Sequence, residues 1–125
     1  MTRVLIIDDS RTIQRSVTAQ VEAAGGQVAG TASDGDEGVR LYQTLMPDLV
    51  LLDITMPNKD GREALKEILE INARATVVML SAISSDEVIK ECLALGAKAF
   101  LNKTTGFADG SLKDELARYL KPKAA

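Results

Sequence analysis

Five residues of this 125-residue chain are the candidates for a chemical site: the carboxylates of Asp8, Asp9 and Asp53, the hydroxyl of Ser81 and the ammonium of Lys103. The sequence has no His and a single Cys, which excludes Ser–His and Cys–His nucleophile pairs, an internal disulfide and the usual zinc and haem ligands. Oxygen ligands alone favour a hard divalent cation, and Mg²⁺ is the natural candidate. An Asp carboxylate can also act as a nucleophile and form an aspartyl phosphate.

Short apolar runs alternate with segments of helical spacing, and this alternation predicts the elements that position those residues. Five runs predict strands, at residues 4–7, 27–31, 49–52, 76–80 and 97–101. Those at 4–7, 49–52 and 76–80 are dense in Val, Ile and Leu, as expected of strands covered on both faces, whereas the second is weaker and predicts an edge strand. The segments after each run carry apolar residues three or four apart, which predicts five helices. Such alternation predicts a parallel sheet with helices on both faces.

In a sheet of this kind, ligands bind at the carboxyl ends of the strands. The acidic pair follows the first strand and Asp53 the third, while the hydroxyl and the ammonium follow the fourth and fifth, so all converge on one rim. Taken singly, Asp8 and Asp9 could cap the first helix, and Lys103 could be a solvated side chain. Together, three carboxylates would repel one another unless they held a cation. Mg²⁺ and Lys103 would offset their charge, and the neutral site could then accept a phosphoryl group.

The ordered set of motifs resembles the receiver domains of two-component response regulators, in particular the small CheY-like ones of chemotaxis. It consists of the acidic pair, an Asp-x-x-Met-Pro-x-x-x-Gly segment, a Ser-Ala pair and a Lys, within residues 4–10, 47–61, 79–82 and 96–103. The resemblance covers nearly the whole chain. It implies an α/β, flavodoxin-like, doubly wound (βα)5 fold with a five-stranded parallel sheet of order 2-1-3-4-5. It also implies one receiver domain over residues 1–125.

The resemblance implies a role for each acidic residue. Asp53 would be the phospho-acceptor. Asp9 and Asp53 would bind Mg²⁺ directly, together with the backbone carbonyl of Thr55, and Asp8 would help through a water molecule. In the segment that follows, we expect Gly61 to supply the backbone conformation of the loop.

Three further residues take roles from the same resemblance. Lys103 would pair with the phosphoryl group, Ser81 would hydrogen-bond to it, and Phe100 would change rotamer as Ser81 moves. The domain would be a switch rather than an enzyme, with at most slow self-phosphorylation and self-dephosphorylation. One departure is Thr104, because the family usually has Pro after this Lys, often in a cis peptide. A cis bond before Thr104 would cost about 2.5–4 kcal/mol, so we expect it to be trans.

The resemblance also implies partners. A sensor histidine kinase would donate the phosphoryl group, and a protein target would bind the face formed by the fourth helix, fifth strand and fifth helix. The flagellar motor switch is a candidate target. With 15 Lys and Arg against 18 Asp and Glu, the net charge of −3 argues against binding nucleic acid through bulk charge. No apolar run is long enough to insert in a membrane, and we expect a cytoplasmic protein.

Other functions compete with this interpretation. A small Mg²⁺ phosphatase with an Asp nucleophile would need a second Asp two residues after Asp53, where Thr55 stands. A flavodoxin-like cofactor carrier would need Gly or hydroxyl residues after the first strand to cradle phosphate, where Asp8 and Asp9 would repel it. Within the receiver interpretation, the chain could be free-standing, cut from a longer regulator, or a phosphate sink. Met1 and the short tail at residues 121–125 favour the free-standing form.

Overall fold

A computed structural model describes residues 2–56, 59–81, 85–102 and 111–120, with the side chains of 111–113 left out. Over these ranges strands and helices alternate without exception. They are β1 Arg3–Ile7, α1 Arg11–Ala23, β2 Gln27–Ala32, α2 Gly35–Leu45, β3 Leu49–Leu52, α3 Gly61–Ile71, β4 Val77–Ser81, α4 Asp86–Leu95, β5 Ala99–Asn102 and α5 Ser111–Leu120. Among the described helices, none combines the length and the apolar character that a membrane span requires.

The strands form one parallel sheet of order β2-β1-β3-β4-β5, which confirms the predicted fold and places β2 at an edge. The fifth strand begins two residues later than its apolar run predicted. The cause is the end of α4, where Gly96 has a φ of 119° and the Ala97 N–H donates to the Cys92 carbonyl at 3.0 Å. Ala97 thus closes the helix and does not join the sheet.

Each central strand buries both of its faces. In β3, Val50 and Leu52 point to a core shared with α2, α3 and α4, whereas Leu49 and Leu51 point to a core shared with α1 and α5. This double burial explains why the strands are continuous apolar runs rather than alternating ones. It also holds the strand ends in fixed relative positions, which is what a site at those ends requires.

Short polar side chains begin the helices beside the carboxyl ends of the strands. Ser10 caps α1 by accepting from the Ile13 N–H at 3.3 Å. Asp60 caps α3 by accepting from the N–H groups of Arg62 and Glu63 at 2.8 and 3.3 Å. The capping role weighed for Asp8 and Asp9 therefore belongs to Ser10, and the acidic pair needs another explanation.

Candidate functional site

Three carboxylates meet where β1 and β3 end. Asp8, Asp9 and Asp53 each offer an oxygen, and these oxygens lie within 4.8 Å of one another. Asp8 and Asp53 are buried, with 2% and 5% of their surface exposed, whereas Asp9 faces solvent. The convergence expected of the three acids at the strand ends is therefore present in the fold.

Backbone hydrogen bonds carry the sheet one residue beyond its strands and so fix this cluster. The Asp53 N–H donates to the Ile7 carbonyl at 2.9 Å, and the Asp8 N–H donates to the Ala32 carbonyl at 3.0 Å. The backbones of Asp8 and Asp53 are thereby tied to neighbouring strands rather than to a free loop. The sheet thus fixes the relative positions of these two residues, and Asp9 follows directly after Asp8.

Mutual repulsion makes such a cluster unfavourable without a cation. The three carboxylate oxygens lie within 4.8 Å of one another, which is close enough for them to share one cation. The donor set is all oxygen, which suits a hard divalent ion.

The loop after Asp53 is built against that residue. The Ile54 N–H donates to Asp53 Oδ1 at 2.9 Å, and the Gly61 N–H donates to the Ile54 carbonyl at 2.7 Å. Gly61 does not have a positive φ, so the expected role in backbone conformation was wrong. Its role is steric, since a Cβ at residue 61 would lie 2.1 Å from the Asp53 carbonyl oxygen.

Thr55 lies at the rim of the cluster. It is exposed, while Ile54 and Met56 on either side are buried in the core beside α2, α3 and α4. The chain thus turns Thr55 outward two residues beyond Asp53. Its predicted use as a carbonyl ligand stays a prediction.

Ser81 is the last residue of β4 and is buried, with 1% exposed. It pairs with Asn102, and Met79 pairs with Phe100. Side chains two residues apart share a face of a strand. Ser81 and Phe100 therefore lie on the same face of adjacent strands, and half-buried Phe100 packs against the core beside α2, α3 and α4.

Two sequence predictions fall outside the described residues. Lys103 and Thr104 follow β5 beyond Asn102, so neither the ammonium position nor the peptide bond before Thr104 is described. The pairing of Ser81 with Asn102 does place the residue before Lys103 at the same end of the sheet. The described residues therefore agree with the prediction that the fifth strand ends beside the fourth, up to Asn102.

Charged residues that sequence reasoning passed over tie the loop after Asp53 to α2 and α3. The Lys59 ammonium pairs with Glu67 and, at 3.1 Å, with Asp36. Hydrogen bonds that the Lys59 ammonium donates to the Glu67 and Asp36 carboxylates raise the pKa of Lys59. The sequence carried no signal for this bridge, because isolated charges between elements usually indicate a solvated surface.

Arg62 makes a second bridge, from the start of α3 to α4. Its guanidinium lies 2.9 Å from Glu91 and 3.2 Å from Asp60. Burial alone would raise the pKa of Asp60, but hydrogen bonds from the Arg62 side chain and from the backbone N–H groups of Arg62 and Glu63 outweigh it and lower that pKa. These ion pairs thus link the beginning of α3, beside the loop that follows Asp53, to α4.

Comparison with known proteins finds a matching family and several similar sequences. Residues 4–115 match the family described as response regulator receiver domain. The chemotaxis protein CheY of Treponema pallidum is 44% identical over 103 residues, 81% of this chain and 72% of that protein. Protein CcdB of Bacillus subtilis is 42% identical over 103 residues, 82% of this chain and 86% of that protein.

The same kind of protein is found among solved structures. The chain is similar to one in a complex of CheX, CheY, BeF₃ and Mg²⁺ from Borrelia burgdorferi, with a TM-score of 0.85 and 35% identity over 96% of this chain and 90% of that one. These similarities confirm the resemblance drawn from the ordered motifs.

Proposed function

Because the chain belongs to the response regulator receiver domain family, we propose that it accepts a phosphoryl group on Asp53 in a Mg²⁺-dependent manner and uses it to switch a partner-binding face. As a CheY-like receiver it is a regulator of two-component signalling, and such domains are switches rather than enzymes in the usual sense. The observation that carries the proposal is the meeting of three carboxylates within 4.8 Å at the ends of β1 and β3. We take residues 1–125 as one such domain.

Asp9 and Asp53 are the proposed direct ligands of Mg²⁺, together with the Thr55 carbonyl, and Asp8 acts through water. Asp9 is exposed and so is open to a hydrated ion, whereas Asp8 is buried and its Oδ1 accepts from the Ser10 N–H at 2.9 Å. When bound, Mg²⁺ supplies charge stabilisation to the phosphoryl oxygens.

Asp53 acts as the nucleophile. One carboxylate oxygen attacks phosphorus as the bond from phosphorus to the donor nitrogen of a phosphohistidine breaks, and the product is an acyl phosphate on Asp53. The hydrogen bond from the Ile54 N–H to Oδ1 orients the carboxylate before the reaction. Lys103 would offset charge on the transferred group.

The switch we propose couples Ser81 to Phe100. When Ser81 turns to hydrogen-bond the phosphoryl group, it vacates space on the face of the sheet that it shares with Phe100. Phe100 is partly buried and packs against that core, and we propose that it rotates inward into the vacated space. The surface between α4 and α5 then changes, and two states a few kcal/mol apart are enough for phosphorylation to redistribute them.

The proposed phosphodonor is a sensor histidine kinase, and the proposed target is a protein that binds the face of α4, β5 and α5. The Borrelia relative binds CheX, and a CheX-like protein or the flagellar motor switch is a suitable target here. Nucleic acid and membrane are not proposed partners of this domain, and its site of action is the cytoplasm. Two alternatives would share phosphorylation of Asp53: a receiver cut from a longer regulator, and a phosphate sink. They differ from this proposal in which partner, if any, binds the face of α4, β5 and α5 after phosphorylation.

Labelling with acetyl phosphate tests the proposal. We expect mass spectrometry to find a single phosphoryl group on Asp53 in the presence of Mg²⁺ and none with EDTA. Asp53→Asn should abolish labelling, whereas Asp114→Asn, an exposed position on α5, should leave it intact. A phosphoryl group on Ser81, or many turnovers on a phosphoester substrate, would instead reject the receiver mechanism.

A further inference from the structure

The side-chain amide of Gln14, in the first turns of α1, reaches the acidic loop. Its Nε2 donates to the Asp8 carbonyl at 2.7 Å and to the Ala32 carbonyl at 3.2 Å, and it lies 3.4 Å from the Ser33 hydroxyl. One neutral group therefore joins the end of β1, the end of β2 and the following turn. Gln14 itself is half-buried, so these bonds are partly shielded from water.

The Asp8 carbonyl belongs to the peptide that connects Asp8 to Asp9. Because a peptide is planar, the direction of this carbonyl sets the plane from which Asp9 continues. The Asp8 N–H is held by Ala32 at 3.0 Å and its Oδ1 by the Ser10 N–H at 2.9 Å. The hydrogen bond that Gln14 donates to the Asp8 carbonyl is a third restraint on this residue. Since Asp9 is exposed, the backbone is what directs its carboxylate toward Asp53.

We propose that Gln14 is a positioning residue for the cation site. It orients the Asp8–Asp9 peptide so that the Asp9 carboxylate faces the other two acids, and it thereby sets the affinity for Mg²⁺. This inference rests on the proposed function, since it takes the acidic cluster to be a Mg²⁺ site. An amide suits the task because it donates two hydrogen bonds without adding a positive charge that would compete with the ion.

Titration calorimetry with MgCl₂ tests this role in matched variants. Gln14→Met keeps the length of the side chain and removes the donors, and we expect Mg²⁺ to bind about ten-fold more weakly, as when a partner that orients a metal ligand is lost. Gln20→Met makes the same change nearer the carboxyl end of α1 and should leave the affinity unchanged. Gln14→Asn keeps an amide that is too short to reach, and it should weaken binding even if Gln14→Met folds poorly.

A double-mutant cycle separates positioning from a general loss of structure. In an Asp9→Asn background, Gln14→Met should change the affinity for Mg²⁺ less than two-fold, because its effect passes through Asp9. In the amide NMR spectrum of the metal-free protein, Gln14→Met should shift Asp9 and Ser10, and Gln20→Met should not.

The outcomes distinguish this inference from the function on which it rests. If Asp9→Asn weakens Mg²⁺ binding but Gln14→Met and Gln14→Asn bind as tightly as the unaltered protein, Gln14 has no positioning role and the cation site stands. Full additivity in the cycle would also reject the role of Gln14. If the unaltered protein fails to bind Mg²⁺, or binds it equally well with Asp9→Asn, both the cation site and the inference are wrong.

Discussion

Gly61 packs directly against the main chain of Asp53. A Cβ at residue 61 would lie 2.1 Å from the Asp53 carbonyl oxygen and 2.8 Å from the Ile54 Cα, closer than real atoms approach. Both atoms belong to the backbone, which cannot move aside as the end of a flexible side chain can. The start of α3 is thus fitted against the residue proposed to accept the phosphoryl group.

Gly61→Ala should therefore destabilise the fold by about 3 kcal/mol, at the upper end of the cost of overpacking. Gly25→Ala is the matched control, because Gly25 has a φ of 93° and nothing within 4 Å of its Cβ position, so only a backbone cost of about 1–2 kcal/mol applies. Urea unfolding of both variants measures the difference. Equal losses of unfolding free energy would mean that the loop relaxes and the close contact is unimportant.

Removal of the acidic side chains should weaken Mg²⁺ binding unequally. We expect Asp9→Ala to lower the affinity at least about ten-fold, because it removes a direct ligand, and Asp8→Ala to lower it less. In the metal-free protein, Asp8→Ala removes the 2.9 Å acceptor of the Ser10 N–H but also relieves repulsion from Asp9 and Asp53, so the net loss of stability should be smaller than the cost of about 1–3 kcal/mol for the lost acceptor alone. Calorimetric titration and unfolding curves on the same samples measure both effects. Unchanged affinity in Asp9→Ala would overturn the ligand assignment.

Ser81→Ala should separate phosphorylation from its consequence. Labelling of Asp53 should be largely retained, but the response of the Phe100 ring and the α4 amides to beryllofluoride should be reduced in NMR spectra. Ser85→Ala is a suitable control, since Ser85 is exposed at the start of α4 and its side chain makes no capping hydrogen bond. If the Phe100 ring of the unaltered protein does not shift with beryllofluoride, the proposed coupling is absent and a phosphate sink is favoured.

Met46→Gly should stabilise the protein. Met46 ends α2 in the left-handed region, with φ of 43° and ψ of 61°, and its side chain is 49% exposed. Glycine would relieve about 1–2 kcal/mol of backbone strain, part of which is offset by its greater freedom in the unfolded chain. We expect a net gain of about 0.5–1 kcal/mol in unfolding free energy, measured by urea denaturation. A loss of stability would show that the Met46 side chain contributes more packing than its exposure suggests.

The bridge from Asp60 to Arg62 should make stability depend on pH. Because the pKa of Asp60 in the folded protein lies below its ordinary value of 3.8, its ionised form stabilises the fold above that pH, and the contribution is lost as the pH falls through the folded-state pKa. Asp60→Asn keeps a good helix cap but removes the charge. The stability difference between the two proteins should shrink from pH 6 to pH 3 in unfolding measurements. A constant difference across this range would assign the effect to capping geometry instead.

Local patterns in the sequence were enough to predict the order of elements and the meeting of the acids. Continuous apolar runs indicate strands covered on both faces, and strand–helix alternation leaves little choice but a parallel sheet. Parallel strands end at one rim, so residues that follow them are neighbours wherever they lie in the chain. Asp8 and Asp53 could be placed together for that reason, although 45 positions separate them along the sequence.

Contacts that depend on register and on the path of loops could not be predicted in this way. The shared face of Ser81 and Phe100 follows from which residues pair between β4 and β5, and no periodicity within one strand contains that information. The reach of Gln14 to the Asp8 carbonyl requires α1 to return beside the loop at a particular angle and distance. The approach of Gly61 to Asp53 is a contact between two backbones. Each depends on packing among distant segments, which only the folded chain specifies.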